Sequence, residues 1–167
     1  MPHEINCLIV DDDPMYAVVA TSILSTLTSG TVRTASSGSV GLEALASDAR
    51  DTQLVFLDLN MPDVDGLAFM RGAHETGFAG NIVISSGESP SVLRSAEAMG
   101  KMLGISILGA LRKPLTLDGV SQMLMKAKSA ATKPVASRLG TLVDADFELT
   151  PYFQPQYDLT TESVGRV

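Results

Sequence analysis

One cysteine, Cys7, is all that the 167 residues contain. An internal disulfide framework is therefore excluded, and a reducing compartment suits the chain. Cys7 lies inside an apolar run, which reads as a small buried side chain rather than a reactive thiol. Basic residues are also scarce: 12 Lys and Arg face 19 Asp and Glu, for a net charge of −7. A nucleic-acid or anionic-membrane surface needs clustered Lys and Arg, so neither partner is expected. No apolar stretch approaches the roughly 20 residues that span a bilayer. The start, Met1-Pro-His-Glu-Ile5, has neither the basic nor the apolar region of a signal peptide. A cytoplasmic location is the expectation. Internal repeats and low-complexity segments are missing as well. Hydrophobic residues make up 45%, enough for a real core in one ordinary domain plus a modest extension.

Against those absences, one pattern recurs. Short apolar runs alternate with stretches of helical periodicity. Ile5–Val10 is the first run. Asp11, Asp12, Asp13 and Pro14 follow it, with Asp13 suited to cap a helix and Pro14 to its first position. Val19, Ile23, Leu24 and Leu27 form that helix's stripe, and Gly30 is expected to end it. Residues 31–35 read as a second strand, and Val40, Leu42, Ala44 and Leu45 as a second helix. Leu54–Leu57 leads into Asp58. Leu67, Met70 and Ala73 mark a third helix, stopped by Gly77. Residues 81–86 form a fourth run, and a helix over Ser91–Leu103 closes at Gly104. Ile107–Leu111 is a fifth run, followed by Arg112, Lys113 and Pro114, where a fixed turn or a cis bond is expected. Thr116 can cap a fifth helix with a stripe of Val120, Met123, Leu124 and Ala127. The methionines at 99, 102, 123 and 125 read as core or interface filler.

Five alternations predict an α/β fold. It is a doubly wound, five-stranded parallel sheet of order 2-1-3-4-5 with helices on both faces. Ligands in such folds sit at the carboxyl ends of the strands. That edge would gather Asp11 and Asp12 after the first strand, Asp58 after the third, Ser86 after the fourth and Lys113 after the fifth. Three neighbouring carboxylates repel one another and call for a divalent cation. An all-oxygen set suits a hard ion such as Mg²⁺. Asp58 is the candidate nucleophile. Lys113 would add positive charge to an incoming phosphoryl group, and Ser86 a hydroxyl. Singly, each residue has a structural reading as cap, turn residue or solvated charge. Their joint order is far more specific.

Asp-Asp after strand one, Asp58-Leu-Asn-Met-Pro-Asp-Val-Asp-Gly66, Ser-Gly after strand four and Lys-Pro after strand five together resemble the receiver domain of two-component response regulators, over residues 1–131. The resemblance implies that Asp58 accepts a phosphoryl group from a histidine kinase or a phosphotransfer protein. It implies Mg²⁺ held by Asp12 and Asp58, by Asp11 partly through water, and by the backbone carbonyl of Asn60. Ser86 and Lys113 would contact the phosphoryl group. A face made of the fourth helix, fifth strand and fifth helix is the implied readout and a candidate homodimer surface. One departure is Ala110, which stands where the family often has an aromatic switch residue.

Residues 132–146 read as a linker. Over 147–167, Leu149-Thr-Pro-Tyr-Phe-Gln-Pro-Gln-Tyr-Asp-Leu resembles the opening of EAL domains, which hydrolyse cyclic di-GMP. The expectation is a truncated start of such a domain, without its catalytic residues and regulated by the receiver. A different output, DNA binding or protein interaction, stays open. Two other classes fit less well. An aspartyl-phosphate phosphatase would need a proton donor at position 60, which Asn60 cannot be. A flavodoxin-like cofactor binder would not place acidic residues after its first strand.

Overall fold

The computed structural model describes residues 4–48, 50–85, 87 and 90–131. The linker and tail read over 132–146 and 147–167 lie outside the described residues. The chain alternates β1 (Cys7–Val10), α1 (Pro14–Leu27), β2 (Val32–Ala35), α2 (Gly38–Asp48), β3 (Leu54–Leu57), α3 (Gly66–Glu75), β4 (Asn81–Ser85), α4 (Pro90–Met102), β5 (Ser106–Leu111) and α5 (Leu117–Ala131). The sheet order is β2-β1-β3-β4-β5, as expected, and every pairing is parallel.

The three central strands, β1, β3 and β4, are buried at every residue. This is why they read as continuous apolar runs instead of alternating ones. Successive side chains still serve opposite faces. Leu8, Val10, Val55, Leu57, Ile82 and Ile84 join Leu45 of α2, Phe69 and Met70 of α3 and Ala96 of α4. Cys7, Ile9, Phe56 and Val83 join Tyr16, Ala20 and Leu24 of α1 and Val120 and Leu124 of α5. Burying each large side chain contributes about 1.5–3 kcal/mol.

Caps set the helix phases. Asp13 Oδ1 accepts the Met15 and Tyr16 N–H groups at 2.9 and 3.2 Å, with Pro14 at the start of α1. From that cap the buried positions run Tyr16, Ala20, Leu24. Val19, expected on the apolar stripe, is 45% exposed instead, because the cap turns it outward. The helix also ends earlier than the Gly30 stop. Thr28 caps it and exchanges two hydrogen bonds with the Ile5 backbone, at 3.1 and 2.9 Å, pulling the chain back beside β1. In α2 the inward residues are Gly38, Gly41 and Leu45, while Val40 is exposed. A Cβ at Gly41 would meet the Phe69 ring at 2.9 Å and Val10 methyls at 3.0 Å. The helix seats through glycine, which a hydrophobicity pattern does not register. Asp65 caps α3, and Thr116 Oγ1 accepts the Gly119 N–H at the start of α5. Gly77 and Gly104 follow α3 and α4 at φ +76 and +70, where glycine costs least.

Candidate functional site

Register builds the site. Val10 pairs with Leu57, and Leu57 with Ile84. The residues that follow β1 and β3, Asp11 and Asp58, therefore emerge side by side at the carboxyl edge of the sheet. The Asp58 N–H donates to the Val10 carbonyl at 3.0 Å, and the Asp11 N–H to Ala35 at 3.1 Å, so both backbones are fixed. Both carboxylates are buried, at 2% and 7% exposure.

Lys113 joins them from beyond β5. Its Nζ lies 2.7 Å from Asp58 Oδ2, as an aligned hydrogen bond, and 2.7 Å from Asp11 Oδ2. The second contact is a close ion pair, less well aligned than the first, and Lys113 is the partner of Asp11 Oδ2. Burial raises the Asp11 carboxyl above its ordinary range, against the opposing pull of Lys113 and the Asp13 N–H. Burial lowers the affinity of Lys113 for its proton, but the two carboxylates outweigh this and leave its pKa raised. The Lys113–Pro114 bond is cis.

The remaining oxygens are positioned by the turns. Asp11 Oδ1 accepts the Asp13 N–H at 3.0 Å, and Asp58 Oδ1 accepts the Asn60 N–H at 3.1 Å. Gly66 allows the loop after β3 to fold tightly. A Cβ there would lie 2.8 Å from the Leu59 Cα and 3.0 Å from the Asp58 carbonyl.

Asp12 is exposed, and one of its carboxylate oxygens lies within 4.8 Å of an oxygen of Asp11 and an oxygen of Asp58, which are equally close to each other. Three carboxylates face one ammonium, an excess of negative charge that a divalent cation matches. A hard, oxygen-seeking ion suits this donor set.

The structure thus brings Asp11, Asp12, Asp58 and Lys113 together, with Asn60 in the adjoining turn. Ser86 lies outside the described residues; β4 ends at Ser85. Two neighbours escaped sequence reasoning. Tyr16 places its ring 4.3 Å from Lys113 Nζ and hydrogen-bonds its hydroxyl to Ser85. Burial, foremost, pushes the Tyr16 hydroxyl up to about 12. The signal for it was the Asp13 cap, which fixes Tyr16 on the inner face. Asp63, read only as part of the turn motif, accepts the Gly38 and Ser39 N–H groups at the start of α2. Among the described residues no helix is long and apolar enough to cross a membrane.

The response regulator receiver domain family matches residues 7–125. A cyclic di-GMP phosphodiesterase, RocR of Pseudomonas aeruginosa, is 27% identical over 94% of this chain and 42% of its own length. A probable C4-dicarboxylate response regulator, DctR of Priestia megaterium, is 24% identical over 96% of this chain and 68% of its own. The chain thus spans about two-fifths of RocR. Among solved structures, a chain of the CheX–CheY complex with beryllofluoride and magnesium from Borrelia burgdorferi superposes with a TM-score of 0.66. It is 22% identical, covering 78% of this chain and 92% of that one. A Clostridium thermocellum receiver domain gives 0.65 at 22% identity, over 76% and 96%. The sheet order, the acidic cluster at its carboxyl edge and the match over most of the described residues lead to one conclusion: this chain belongs to the response regulator receiver domain family of two-component signalling proteins.

Proposed function

We propose that Asp58 accepts a phosphoryl group from a histidine kinase or a phosphotransfer protein and that this switches an output domain. The observation that carries the reading is the pair of 2.7 Å contacts from Lys113 Nζ to Asp58 and Asp11, two buried carboxylates at the end of adjacent strands. In the step itself an Asp58 oxygen attacks the phosphorus of a phosphohistidine. The P–N bond breaks as the new O–P bond forms, and the imidazole leaves with the electron pair of the old bond. It is a neutral leaving group when its second nitrogen is protonated. Lys113 offers its ammonium to the oxygens of the arriving group, and Ser86 is the proposed hydroxyl partner. Asp11, Asp12, Asp58 and the Asn60 carbonyl are the proposed Mg²⁺ holders. The ion supplies charge neutralisation for the transferred group. Asn60 has no proton to give a leaving group, which favours a persistent switch over a phosphatase.

We also propose a cyclic di-GMP phosphodiesterase of the EAL type as the output. Its support is the opening motif over 147–167 and the similarity to RocR, which extends across 94% of this chain rather than over the receiver alone. The surface formed by α4, β5 and α5 is the proposed readout and homodimer face. Met102 of α4 and Met125 of α5 are 88% and 52% exposed.

The test of the first proposal is incubation with Mg²⁺ and a small phosphodonor, followed by intact mass. One phosphoryl group is expected, absent from Asp58→Asn. Equal modification of that variant would overturn the assignment. For the output, cyclic di-GMP hydrolysis by the full-length parent should change on phosphorylation, and a parent inert toward cyclic di-GMP would sink it.

A further inference from the structure

Tyr16 is a buried aromatic that the phosphoryl chemistry does not itself require. Its face lies 4.3 Å from Lys113 Nζ. Its hydroxyl bonds Ser85, the last residue of β4, and its backbone N–H is held by the Asp13 cap. Lys113 therefore has three partners, two carboxylates and one ring. The carboxylates are the groups that a bound cation competes for, and one of them is the group to be modified. Only the ring keeps its attraction for an ammonium through both events, because the attraction comes from the π face. A lysine stem is flexible, so its head stays where its neighbours hold it. The ring cannot swing away without breaking the bond to Ser85.

We propose that Tyr16 is a positioning residue for the phosphoryl site. Its face holds the Lys113 ammonium over Asp58, and its hydroxyl, bonded to Ser85, fixes the ring and ties α1 to the end of β4. This rests on the reading of Asp58 as phosphoryl acceptor.

The experiment measures the rate of phosphoryl uptake from a small phosphodonor with Mg²⁺. It uses wild type, Tyr16→Leu, Tyr16→Phe, Ser85→Ala, Lys113→Ala and the doubles Tyr16→Leu/Lys113→Ala and Tyr16→Phe/Ser85→Ala. Tyr16→Leu should slow uptake about tenfold, the worth of a partly desolvated cation–π contact. The same change should do nothing further once Lys113 is alanine. Tyr16→Phe and Ser85→Ala should each slow uptake by a smaller, equal factor, and together no more than either alone. The chain has no tryptophan and three tyrosines, of which Tyr16 alone lies in residues 1–131. Adding Mg²⁺ with beryllofluoride should therefore change the tyrosine emission of wild type and not that of Tyr16→Phe. An unmodified wild type would remove the acceptor reading, and this inference with it. A modified wild type with Tyr16→Leu at full rate, or with an equal loss on both Lys113 backgrounds, would overturn the inference alone. Should Tyr16→Leu fail to fold, additive losses in Tyr16→Phe and Ser85→Ala would overturn it instead.

Discussion

Asp63 and Ser39 are bonded twice. Asp63 Oδ2 accepts the Ser39 N–H at 3.0 Å and the Ser39 hydroxyl at 2.7 Å, while its Oδ1 takes the Gly38 N–H at 3.2 Å. A residue of the loop after β3 thus caps the start of α2, doing for that helix what Asp13 and Asp65 do for α1 and α3 from within the chain's own turn. Gly38 makes the approach feasible, since a Cβ there would lie 2.6 Å from the Val64 carbonyl oxygen and side chain. The loop that begins at Asp58 is therefore anchored at its far side to α2, which shares a core face with α3.

Asp63→Asn is predicted to lower the thermal midpoint, in a pH-dependent way. The bonds from Ser39, first its N–H, hold the Asp63 carboxyl well below its ordinary range. A carboxylate depressed in the folded state contributes stability that is present above its unfolded pKa, about 3.9, and is lost as pH falls toward the folded value. The gap between wild type and variant should be full at pH 6 and shrink below about pH 4. Midpoints by circular dichroism across that window check it; a gap constant with pH would refute the charged cap.

How much of this was legible beforehand follows from what each residue's neighbours in sequence disclose. Continuous apolar runs identified β1, β3 and β4 because those strands are buried on both sides. Alternation and handedness gave the parallel sheet; order 2-1-3-4-5 was the doubly wound arrangement that gathers the residues after each strand at one edge. The cap at Asp13 was readable because donor and acceptor are two and three residues apart. Asp63 to Ser39 spans 24 residues and Tyr16 to Ser85 spans 69. No local pattern carries such a pair. Val19 was assigned to the apolar stripe of α1 and Val40 simply to the second helix, whereas small residues seat those helix faces: Ala20 in α1 and Gly41 in α2. Apolar character alone does not report fit.

Asp12 separates metal binding from stability. It is exposed, and no strand packing depends on it, yet it completes the carboxylate group with Asp11 and Asp58. Mg²⁺ at a hundredfold excess over its dissociation constant should stabilise wild type by about 2.7 kcal/mol. In Asp12→Asn that gain should largely vanish, while stability without metal should stay within about 0.5 kcal/mol of wild type or rise slightly as repulsion is relieved. Asp11→Asn differs, since it also removes one of the two carboxylate partners of Lys113. Urea melts with and without Mg²⁺ check both, and a full magnesium response in Asp12→Asn would remove that residue from the site.

Alkaline pH should destabilise the receiver in a sequence set by two buried groups, Cys7 and Tyr16, and the half-buried Lys113. Burial pushes the Cys7 thiol up from 9.0 to about 12 and the Tyr16 hydroxyl from 10.0 to about 12. For Lys113 burial acts downward, but its carboxylate partners leave it raised above 10.5. In each case the folded chain keeps a proton that the unfolded chain gives up. Fewer protons are then bound by the unfolded state, so stability falls as pH rises. The loss is nil below about pH 8, begins with Cys7 near pH 9 and deepens as Tyr16 and Lys113 pass their unfolded values. One pKa unit is worth about 1.4 kcal/mol, so the thiol alone accounts for a loss on the order of a few kcal/mol by pH 11. Cys7→Ala removes the earliest of the three. Its urea midpoint, lower at pH 8 for lack of a buried sulfur in the core cluster that includes Ile9 and Leu54, should decline less steeply than wild type between pH 9 and pH 10. Parallel declines would mean that the thiol ionises as readily in the fold as outside it.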